Sequence, residues 1–299
     1  MPKYALITGC SAGGIGDALA QEFHAKGVHV FATARNLSKI EHLKTLGLTT
    51  LELDVTAPTS IEQVVAEVAN ITGGKLDFLV NNAGMGNTMP LLDSNLDVAR
   101  EVFELNYFSI LAMTQAFAPS IIATKGKVIN IGSIVGRMAQ AYTGIYNTSK
   151  AAANLLSETL RVELAPFGVE VVTVVTGVIS TKFFNNQGAV ELPPSQSQYT
   201  SQDVPITDHK TDSLYLPVQC YIADAASGKE VSKGAMTPSV YAQGLVANAM
   251  KPKSKLWYWR GGSAWLVWAV TTFAPHLFPD TIFASTNGLK VLAGKVKKV

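Results

Sequence analysis

A tyrosine and a lysine four residues apart, Tyr146 and Lys150, are the pair in this sequence best suited to acid–base chemistry. The surrounding residues predict a helix, on which positions i and i+4 lie on the same face. A lysine ammonium held beside a phenol favours the phenolate and lowers the tyrosine pKa from its usual value of about 10. Such a phenol can donate a proton to a carbonyl oxygen or accept one from an alcohol. The pair therefore predicts a proton-transfer site for a carbonyl or an alcohol.

A glycine-rich turn near the start of the chain predicts a nucleotide site. Four glycines lie between positions 9 and 16, after a short apolar run and before a helical segment. Glycines let the backbone turn tightly and approach a pyrophosphate, whose charge is met by the helix N-terminus. The turn lacks the Gly-Lys-Ser/Thr ending of a P-loop, so dinucleotide binding is favoured over nucleotide hydrolysis.

The type of dinucleotide is indicated by the end of the second predicted strand. An acidic residue there would bind the ribose hydroxyls of NAD and repel a 2′-phosphate. This sequence has no acidic residue at that point and has Arg35 just beyond it. A guanidinium group suits a phosphate, so NADPH or NADP is the predicted cofactor.

Short apolar runs alternate with helical segments over the first 180 residues. The predicted strands are residues 4–8, 28–33, 50–53, 78–80, 128–131 and 169–175, with one more at 255–260. The main predicted helices are residues 17–26, 60–70, 96–123, 151–165 and about 238–250. Strands without polar alternation that are separated by helices indicate an α/β fold: a doubly wound (Rossmann) parallel sheet with helices on both faces. Ligands of such folds bind beyond the carboxyl ends of the strands.

The sequence is interpreted as one domain with a C-terminal extension. Residues 1–260 form the predicted NADP-binding domain, with a lid-like insertion at about 182–236. Within the insertion, residues 187–212 are rich in Ser, Gln, Thr, Pro and Asp, which is typical of a loop. Residues 261–299 form an apolar extension that ends in lysines.

Several motifs occur in the order found in one enzyme family. They are Thr8-Gly9 with Gly14-Ile15-Gly16, Leu53-Asp54-Val55, Asn81-Asn82-Ala83-Gly84, Asn106, Ser133, and Tyr146 with Lys150. In these motifs the chain resembles the short-chain dehydrogenase/reductase family over its first 180 residues. Its tail, with Tyr258-Trp259-Arg260-Gly261 before an apolar run, is similar to that of fungal NADPH-dependent 1-acyl-dihydroxyacetone-phosphate reductases.

The resemblance implies a role for each of these residues. The implied catalytic residues are Ser133, which binds the substrate oxygen, Tyr146, Lys150 and Asn106. The implied cofactor site consists of Gly9, Ser11, Gly14, Ile15, Gly16, Arg35, Asp54, Asn82, Tyr146, Lys150, Ile179 and Thr181. Asp54 would bind the adenine amino group, Asn82 the adenine ribose, and Ile179 and Thr181 the carboxamide. Lys150 would contact the nicotinamide ribose, and Asn106 would hold a water that connects the lysine to solvent. Two alternatives stay open, a turn aspartate at Asp54 and a helix irregularity at Asn106.

The chain departs from the family pattern at two places. The glycine turn has one residue more than the commonest form, so Gly14 and Gly16 match the closing glycines best. Thr176-Gly177 stands where Pro-Gly is usual after the sixth strand. The loss of a proline removes a fixed φ angle, so the local loop geometry is expected to differ.

The predicted function is the NADPH-dependent reduction of a ketone to a secondary alcohol, with Tyr146 as the proton donor. The small-molecule carbonyl substrate is expected to be apolar or lipid-like, such as an acyl-dihydroxyacetone phosphate. Its pocket would be formed by residues 86–90, 135–142 and the chain after Phe183. The alternatives are a ketone reductase of fungal secondary metabolism, a hydroxysteroid-type dehydrogenase and, from another class, an NADPH-sensing protein without turnover.

Composition limits the remaining possibilities. A net charge of +2 without a basic stripe gives no reason to expect a nucleic-acid partner. Two cysteines without a ligand cluster predict neither a metal site nor disulfides. The start of the chain does not resemble a signal peptide, so a cytoplasmic protein is expected. The long helices at 96–123 and 146–165 are where relatives associate, so a homodimer or homotetramer is expected.

The extension leaves two interpretations open. The apolar run at 264–274 is shorter than the roughly 20 residues that span a bilayer. Its tryptophans, with Lys290, Lys295, Lys297 and Lys298, suit a helix at a membrane interface, for example of the endoplasmic reticulum or a lipid droplet. Alternatively, the run covers the substrate pocket or forms a subunit contact.

Overall fold

The structure, a computed structural model, describes residues 2–184, 190–192, 213–229, 234–274 and 286–296. Most of the predicted loop at 187–212 lies outside these ranges, as do Lys297, Lys298 and the side chain of Lys295.

Seven parallel strands form one sheet within the described residues, in the order β3-β2-β1-β4-β5-β6-β7. The strands are β1 (Tyr4–Ile7), β2 (His29–Ala34), β3 (Thr49–Glu52), β4 (Phe78–Asn81), β5 (Lys127–Ile131), β6 (Glu170–Thr176) and β7 (Trp257–Arg260). Each predicted strand is confirmed to within two residues at either end. The strand order reverses between β1 and β4, which is where a doubly wound sheet opens a ligand crevice.

The described helices lie on both faces of this sheet. They are α1 (Ile15–Ala25), α2 (Glu41–Thr45), α3 (Pro58–Thr72), α4 (Leu96–Phe103), α5 (Ser109–Thr124), α6 (Gly144–Leu164), α7 (Gln219–Ser227), α8 (Pro238–Ala249), α9 (Ala264–Phe273) and α10 (Leu289–Val296). Thr237 caps α8 by accepting a hydrogen bond from the Val240 N–H, and Pro238 is its first residue, as the sequence predicts. The short helices α2 and α7 were not predicted.

Two hydrophobic cores sandwich the sheet. Side chains of a strand alternate between its faces, so Ile7 packs on one side with Phe23 and Tyr241, and Leu6 packs on the other with Phe117. The first core joins the sheet to α1 and α8, and the second joins it to α3, α5 and α6. The predicted single-domain, doubly wound fold is therefore confirmed.

The predicted long helix at 96–123 is interrupted. A π-helical turn, Glu104–Phe108, separates α4 from α5 around Asn106. The whole stretch Leu96–Thr124 is long and apolar enough to cross a bilayer by length and composition. In this fold, however, Met113, Phe117 and Ile121 of α5 pack in the core against the sheet, so it serves as a core helix.

The two described helices of the C-terminal extension pack on different parts of the domain. Helix α9 buries Ala264 and Val267 against Ile134 and Val175. Helix α10 packs near residues 216–218, where its leucines join a small apolar cluster around Tyr142. The Tyr142 hydroxyl donates a hydrogen bond to the Asn287 carbonyl at 2.7 Å. The extension therefore reaches the loop that precedes α6.

Candidate active site

The glycine turn follows β1 and leads into α1 at the carboxyl end of the sheet. Gly9 has a φ of +71°, which favours glycine, and Gly14 precedes the first helical residue, Ile15. A Cβ on Gly16 would lie 2.5 Å from the Gly9 carbonyl oxygen and 2.6 Å from Asn82 Nδ2. Only glycine fits this close approach, and Ser11 is exposed at the outer side of the turn.

Asn82 holds the glycine turn against the end of β4. Its Nδ2 donates to the carbonyl oxygens of Thr8 at 2.8 Å and Gly9 at 3.0 Å. Its backbone N–H donates to the Thr8 hydroxyl at 2.9 Å. The residue thus stands at the strand-order reversal, and its contact with an adenine ribose stays a prediction.

Arg35 and Asp54 lie together at the neighbouring strand ends. Arg35 is exposed just after β2, and the Ala12 N–H donates to the Lys39 carbonyl, so residues 37–39 border the glycine turn. Asp54 Oδ1 accepts from the backbone and the hydroxyl of Thr56, at 2.9 and 2.7 Å. Burial raises the pKa of Asp54, but the Thr56 hydrogen bonds and the Arg35 charge outweigh it and hold that pKa below its usual value. The turn role left open for Asp54 is therefore observed, and its adenine contact stays a prediction.

Ser133 and Tyr146 meet beyond the end of β5. Ser133 caps the short 3₁₀ helix Ile134–Gly136, where its Oγ lies 3.4 Å from the Val135 N–H. Its hydroxyl also lies near the hydroxyl of Tyr146, in the first turn of α6, close enough to lower the phenol pKa. The centre of the Phe183 ring lies 5.7 Å from the centre of the Tyr146 ring, so an aromatic side chain packs beside the tyrosine.

Lys150 lies one helical turn beyond Tyr146 and is buried. Its Nζ donates to the Ile131 carbonyl at 3.0 Å and lies 6.0 Å from the centre of the Tyr146 ring. Burial lowers the pKa of Lys150 to about 8 because it disfavours the ammonium.

The expected effect of Lys150 on the phenol is wrong for this geometry. Burial raises the pKa of Tyr146 to about 12, and the nearby Ser133 hydroxyl lowers it only in part. The loss of solvation dominates, and the lysine ammonium is directed at a backbone carbonyl. Tyr146 is therefore a fully protonated phenol at neutral pH.

Asn106 is fully buried at the π-helical turn. Its Oδ1 accepts from the Met85 N–H, and its Nδ2 donates to the Met85 carbonyl and to Ser149 Oγ, all at 2.9–3.0 Å. A Cβ on Gly84 would lie 3.0 Å from Asn106 Oδ1 and 3.4 Å from Lys150 Nζ. The alternative of a helix irregularity is therefore observed, next to the lysine, and the water-holding role stays a prediction.

The loop after β6 contains Ile179 and Thr181. Ile179 is buried and bridges to Met236, and Thr181 Oγ1 accepts from the Phe183 N–H at 3.3 Å. The threonine that replaces the usual proline extends β6, since Thr176 pairs with Arg260 of β7. Proline could not donate in such a ladder, and the Thr176 hydroxyl also shares a 2.7 Å hydrogen bond with Tyr241.

Sequence reasoning missed a set of buried asparagines beneath the site. Asn81 donates to Asn130, and Asn130 donates to Ser157 on α6, so these residues join β4, β5 and α6. Asn154 follows Lys150 by one turn and lies against Gly132 and Gly136, which flank Ser133. Within the described part of the chain its amide has no hydrogen-bond partner. Asparagines inside the apolar run of β5 and on the Tyr146–Lys150 face of α6 were the available signal.

Two adjoining clefts lie beside the loop that follows Ser133. The larger, of about 370 Å³, is lined by residues 135–140 and by Leu91, Gly144, Asn147, Thr148 and Ala151. The smaller, of about 210 Å³, is lined by Pro90, Tyr142, Tyr215 and Leu289, among others. Residues 147, 148 and 151 lie on a different side of α6 from Tyr146 and Lys150, so the larger cleft is separate from the proton-transfer groups.

No group of three or more His, Cys, Asp or Glu side chains suited to a metal ion occurs in the ranges that the structure describes. Cys10 is buried, with its Sγ 3.2 Å from the Ile7 carbonyl, and burial raises its pKa to about 12. That thiol is therefore unreactive at neutral pH.

A doubly wound sheet with a Ser-Tyr-Lys constellation at its carboxyl edge defines an oxidoreductase of the Rossmann type. The sequence profile described as "short chain dehydrogenase" matches residues 3–191. The chain belongs to the short-chain dehydrogenase/reductase family.

Individual relatives extend over most of the chain. It is 40% identical to the short-chain dehydrogenase ptmH of Penicillium ochrochloron over 285 residues, which cover 95% of this chain and 97% of that protein. It is 37% identical to an NADPH-dependent 1-acyldihydroxyacetone phosphate reductase of Schizosaccharomyces pombe over 236 residues, 78% of this chain and 79% of that protein. A solved short-chain dehydrogenase from Streptomyces avermitilis is 28% identical, with a TM-score of 0.71 and 98% of each chain covered.

Proposed function

We propose that this protein is an NADPH-dependent reductase that converts a ketone to a secondary alcohol. The observation that carries the proposal is the proximity of Ser133 to the Tyr146 hydroxyl, with Lys150 one turn away on the same helix. A protonated phenol beside a second hydroxyl can hold a carbonyl oxygen and deliver a proton to it.

The residues at the carboxyl edge of the sheet fit a dinucleotide. The glycine turn at the start of α1 suits a pyrophosphate, and Gly84 lies close to Asn106 and Lys150. Exposed Arg35 suits a 2′-phosphate, and the Schizosaccharomyces relative is NADPH-dependent by name. When bound, NADPH supplies the hydride.

The chain's own groups then position the substrate and supply the proton. Ser133 Oγ and the Tyr146 hydroxyl together hold the substrate oxygen, so that both polarise the carbonyl. The high pKa of Tyr146 keeps the proton on its oxygen until charge develops on the substrate. Lys150, charged at pH 7 because its pKa of about 8 lies above that pH, keeps a positive charge one helical turn from Tyr146.

An apolar or lipid-like ketone is the proposed substrate class, with an acyl-dihydroxyacetone phosphate as its first representative. Phe183 beside Tyr146 offers an apolar wall, and the name of the Schizosaccharomyces relative supports the acyl substrate. The second candidate is a ketone of fungal secondary metabolism, because the Penicillium relative matches more of the chain without a substrate in its name.

The test follows NADPH oxidation at 340 nm, the absorbance of the reduced nicotinamide, with a panel of ketones. The panel contains a 1-acyl-dihydroxyacetone phosphate, a long-chain methyl ketone, a steroid ketone and an aromatic polyketide-type ketone. We expect turnover on at least one ketone and product alcohol in equal amount. Tight NADPH binding without turnover on any member would instead support a cofactor-sensing protein.

A further inference from the structure

Helix α9 presents an unusual surface to solvent. Its buried side consists of Ala264 and Val267, which pack on the domain. On its other side Trp265 is 72% exposed, Trp268 46% and Phe273 77%. The rings of Trp268 and Phe273 lie 6.2 Å apart in an edge-to-face contact, so part of the surface is a continuous aromatic patch. Large aromatic side chains grouped in this way mark an interaction site.

The segment of the sequence that contains this patch is basic. Residues 261–274 contain no charged side chain, and residues 231–299 contain nine lysines and arginines but a single acidic residue, Asp280. In the whole chain the two signs are nearly balanced, with 24 basic and 22 acidic residues. A neutral aromatic patch within a basic segment is complementary to a surface that is apolar inside and anionic outside.

The length of α9 decides how it can meet a lipid bilayer. A ten-residue helix is about 15 Å long, roughly half of the hydrocarbon thickness of a bilayer. The helix therefore cannot span the bilayer, and one side of it is already attached to the domain. The remaining geometry is one in which α9 lies flat, with its tryptophans at the depth of the headgroups.

The position of α9 relates this patch to the active site. Beneath it, Ile134 belongs to the short helix capped by Ser133, and Val135 and Met138 border the same cluster. Arg137, between them, is exposed and lies 5.2 Å from the centre of the Trp257 ring. A surface that contacted α9 would therefore lie against the loop that follows Ser133.

We propose that α9 docks this protein on an anionic phospholipid surface through Trp265, Trp268 and Phe273. Docking holds the loop after Ser133 at the lipid surface, where an apolar ketone dissolved in the lipid is concentrated. The docking itself is argued from the exposed aromatic patch and from the basic residues of the segment that contains it. Only the delivery of substrate rests on the proposed function.

The experiment uses the full chain and flotation with two kinds of vesicle, phosphatidylcholine alone and phosphatidylcholine mixed with phosphatidylserine. The wild type should float with the mixed vesicles, and added salt should weaken its binding. The double variant Trp265→Ser/Phe273→Ser should partition at least about tenfold less, since two large apolar side chains no longer enter the lipid. A matched control, Leu46→Ser/Phe167→Ser, removes two exposed apolar side chains far from α9 and should float like the wild type.

Two further measurements keep the result interpretable. Thermal unfolding and NADPH binding, followed by nicotinamide fluorescence, should be unchanged in the α9 variant, because its altered side chains are exposed. The proposal is overturned if the wild type floats with neither kind of vesicle, or if the α9 variant floats like the wild type. An α9 variant that dissociates an oligomer while lipid binding is unchanged also overturns it and assigns the patch to a subunit contact.

Discussion

Burial gives the two central side chains of the site opposite pKa shifts. The pKa of Tyr146 rises to about 12 and the pKa of Lys150 falls to about 8, because burial removes the solvation of the charged form of each group. At pH 7 both groups keep their protons, so the tyrosine is ready to donate. This state matches the proton donor that the proposed carbonyl reduction requires.

The burial of Lys150 should reduce the stability of the fold in a pH-dependent way. Its folded pKa lies below its ordinary value of 10.5, so between pH 8 and 10.5 the unfolded state binds more protons and stability rises with pH. We expect Lys150→Met to raise the free energy of unfolding at pH 7 by on the order of 1–3 kcal/mol. The loss of the hydrogen bond to the Ile131 carbonyl offsets part of this gain.

The measurement is denaturant unfolding of both proteins at several pH values, without added cofactor. The advantage of Lys150→Met should shrink from pH 8 to pH 10.5, while Lys253→Met, at an exposed position, should show no such trend. An advantage that does not change with pH contradicts the buried ammonium.

Arg35 should determine the choice between the two nicotinamide dinucleotides. Arg35→Asp removes the guanidinium at the end of β2 and places a second carboxylate beside Asp54, so a 2′-phosphate would be repelled. We expect the ratio of kcat/KM for NADPH over NADH to fall by about 100-fold or more, because an attractive charge is replaced by a repulsive one. An unchanged ratio would assign the phosphate to Ser11, Asn36 or Lys39.

At the scale of elements, patterns that repeat along the chain were predictable and local irregularities were not. The strands were found because each is a nearly continuous apolar run, as expected for a sheet covered on both faces. A helix irregularity at Asn106 was an open alternative, but its π-helical form and its hydrogen bonds with Met85, 21 residues away, were not predictable from the local sequence. The positive φ of +67° at Tyr142 and the hydrogen bond from its hydroxyl to the distant Asn287 carbonyl were also not predicted.

The candidate site was predictable where residue types and spacing define the chemistry. Tyr146 and Lys150 lie on one helix, and Ser133 follows the strand next to it, so the constellation could be assembled from the sequence. The pKa of Tyr146 could not be predicted, because the lysine had to be seen bound to Ile131. Burial and the direction of a donor are properties of the folded chain.

The glycine turn should tolerate no side chain at its closing position. Gly16→Ala would push a methyl group against the Gly9 carbonyl and the Asn82 amide, separating the turn from β4. We expect NADPH affinity, measured by fluorescence titration, to fall by about tenfold or more, with a lower melting temperature. Gly234→Ala is the control, since a Cβ there meets open space, and it should bind NADPH normally. Normal binding by Gly16→Ala would contradict a cofactor site at this turn.

At the scale of the whole molecule, helix α6 exposes a second apolar surface. Leu155 is 70% exposed and Val162 is 61% exposed, and their spacing of seven places them on one side of the helix. We expect the chain to form a homodimer or homotetramer through this side, with a mass measurable by light scattering after gel filtration. Leu155→Glu/Val162→Glu should yield monomers, and Leu46→Glu should keep the wild-type mass. A wild-type monomer at micromolar concentration would contradict this expectation.

The most direct test of the proposed chemistry removes one oxygen atom. Tyr146→Phe deletes the proton donor and keeps the ring beside Phe183, so the fold and the cofactor site should be preserved. Single-turnover oxidation of bound NADPH by the best ketone should slow by about 10²–10⁴-fold, the usual contribution of general acid catalysis. NADPH affinity should change by less than about twofold. A variant that oxidises NADPH at a near-normal rate would show that the proton comes from another group and contradict the assigned role of Tyr146.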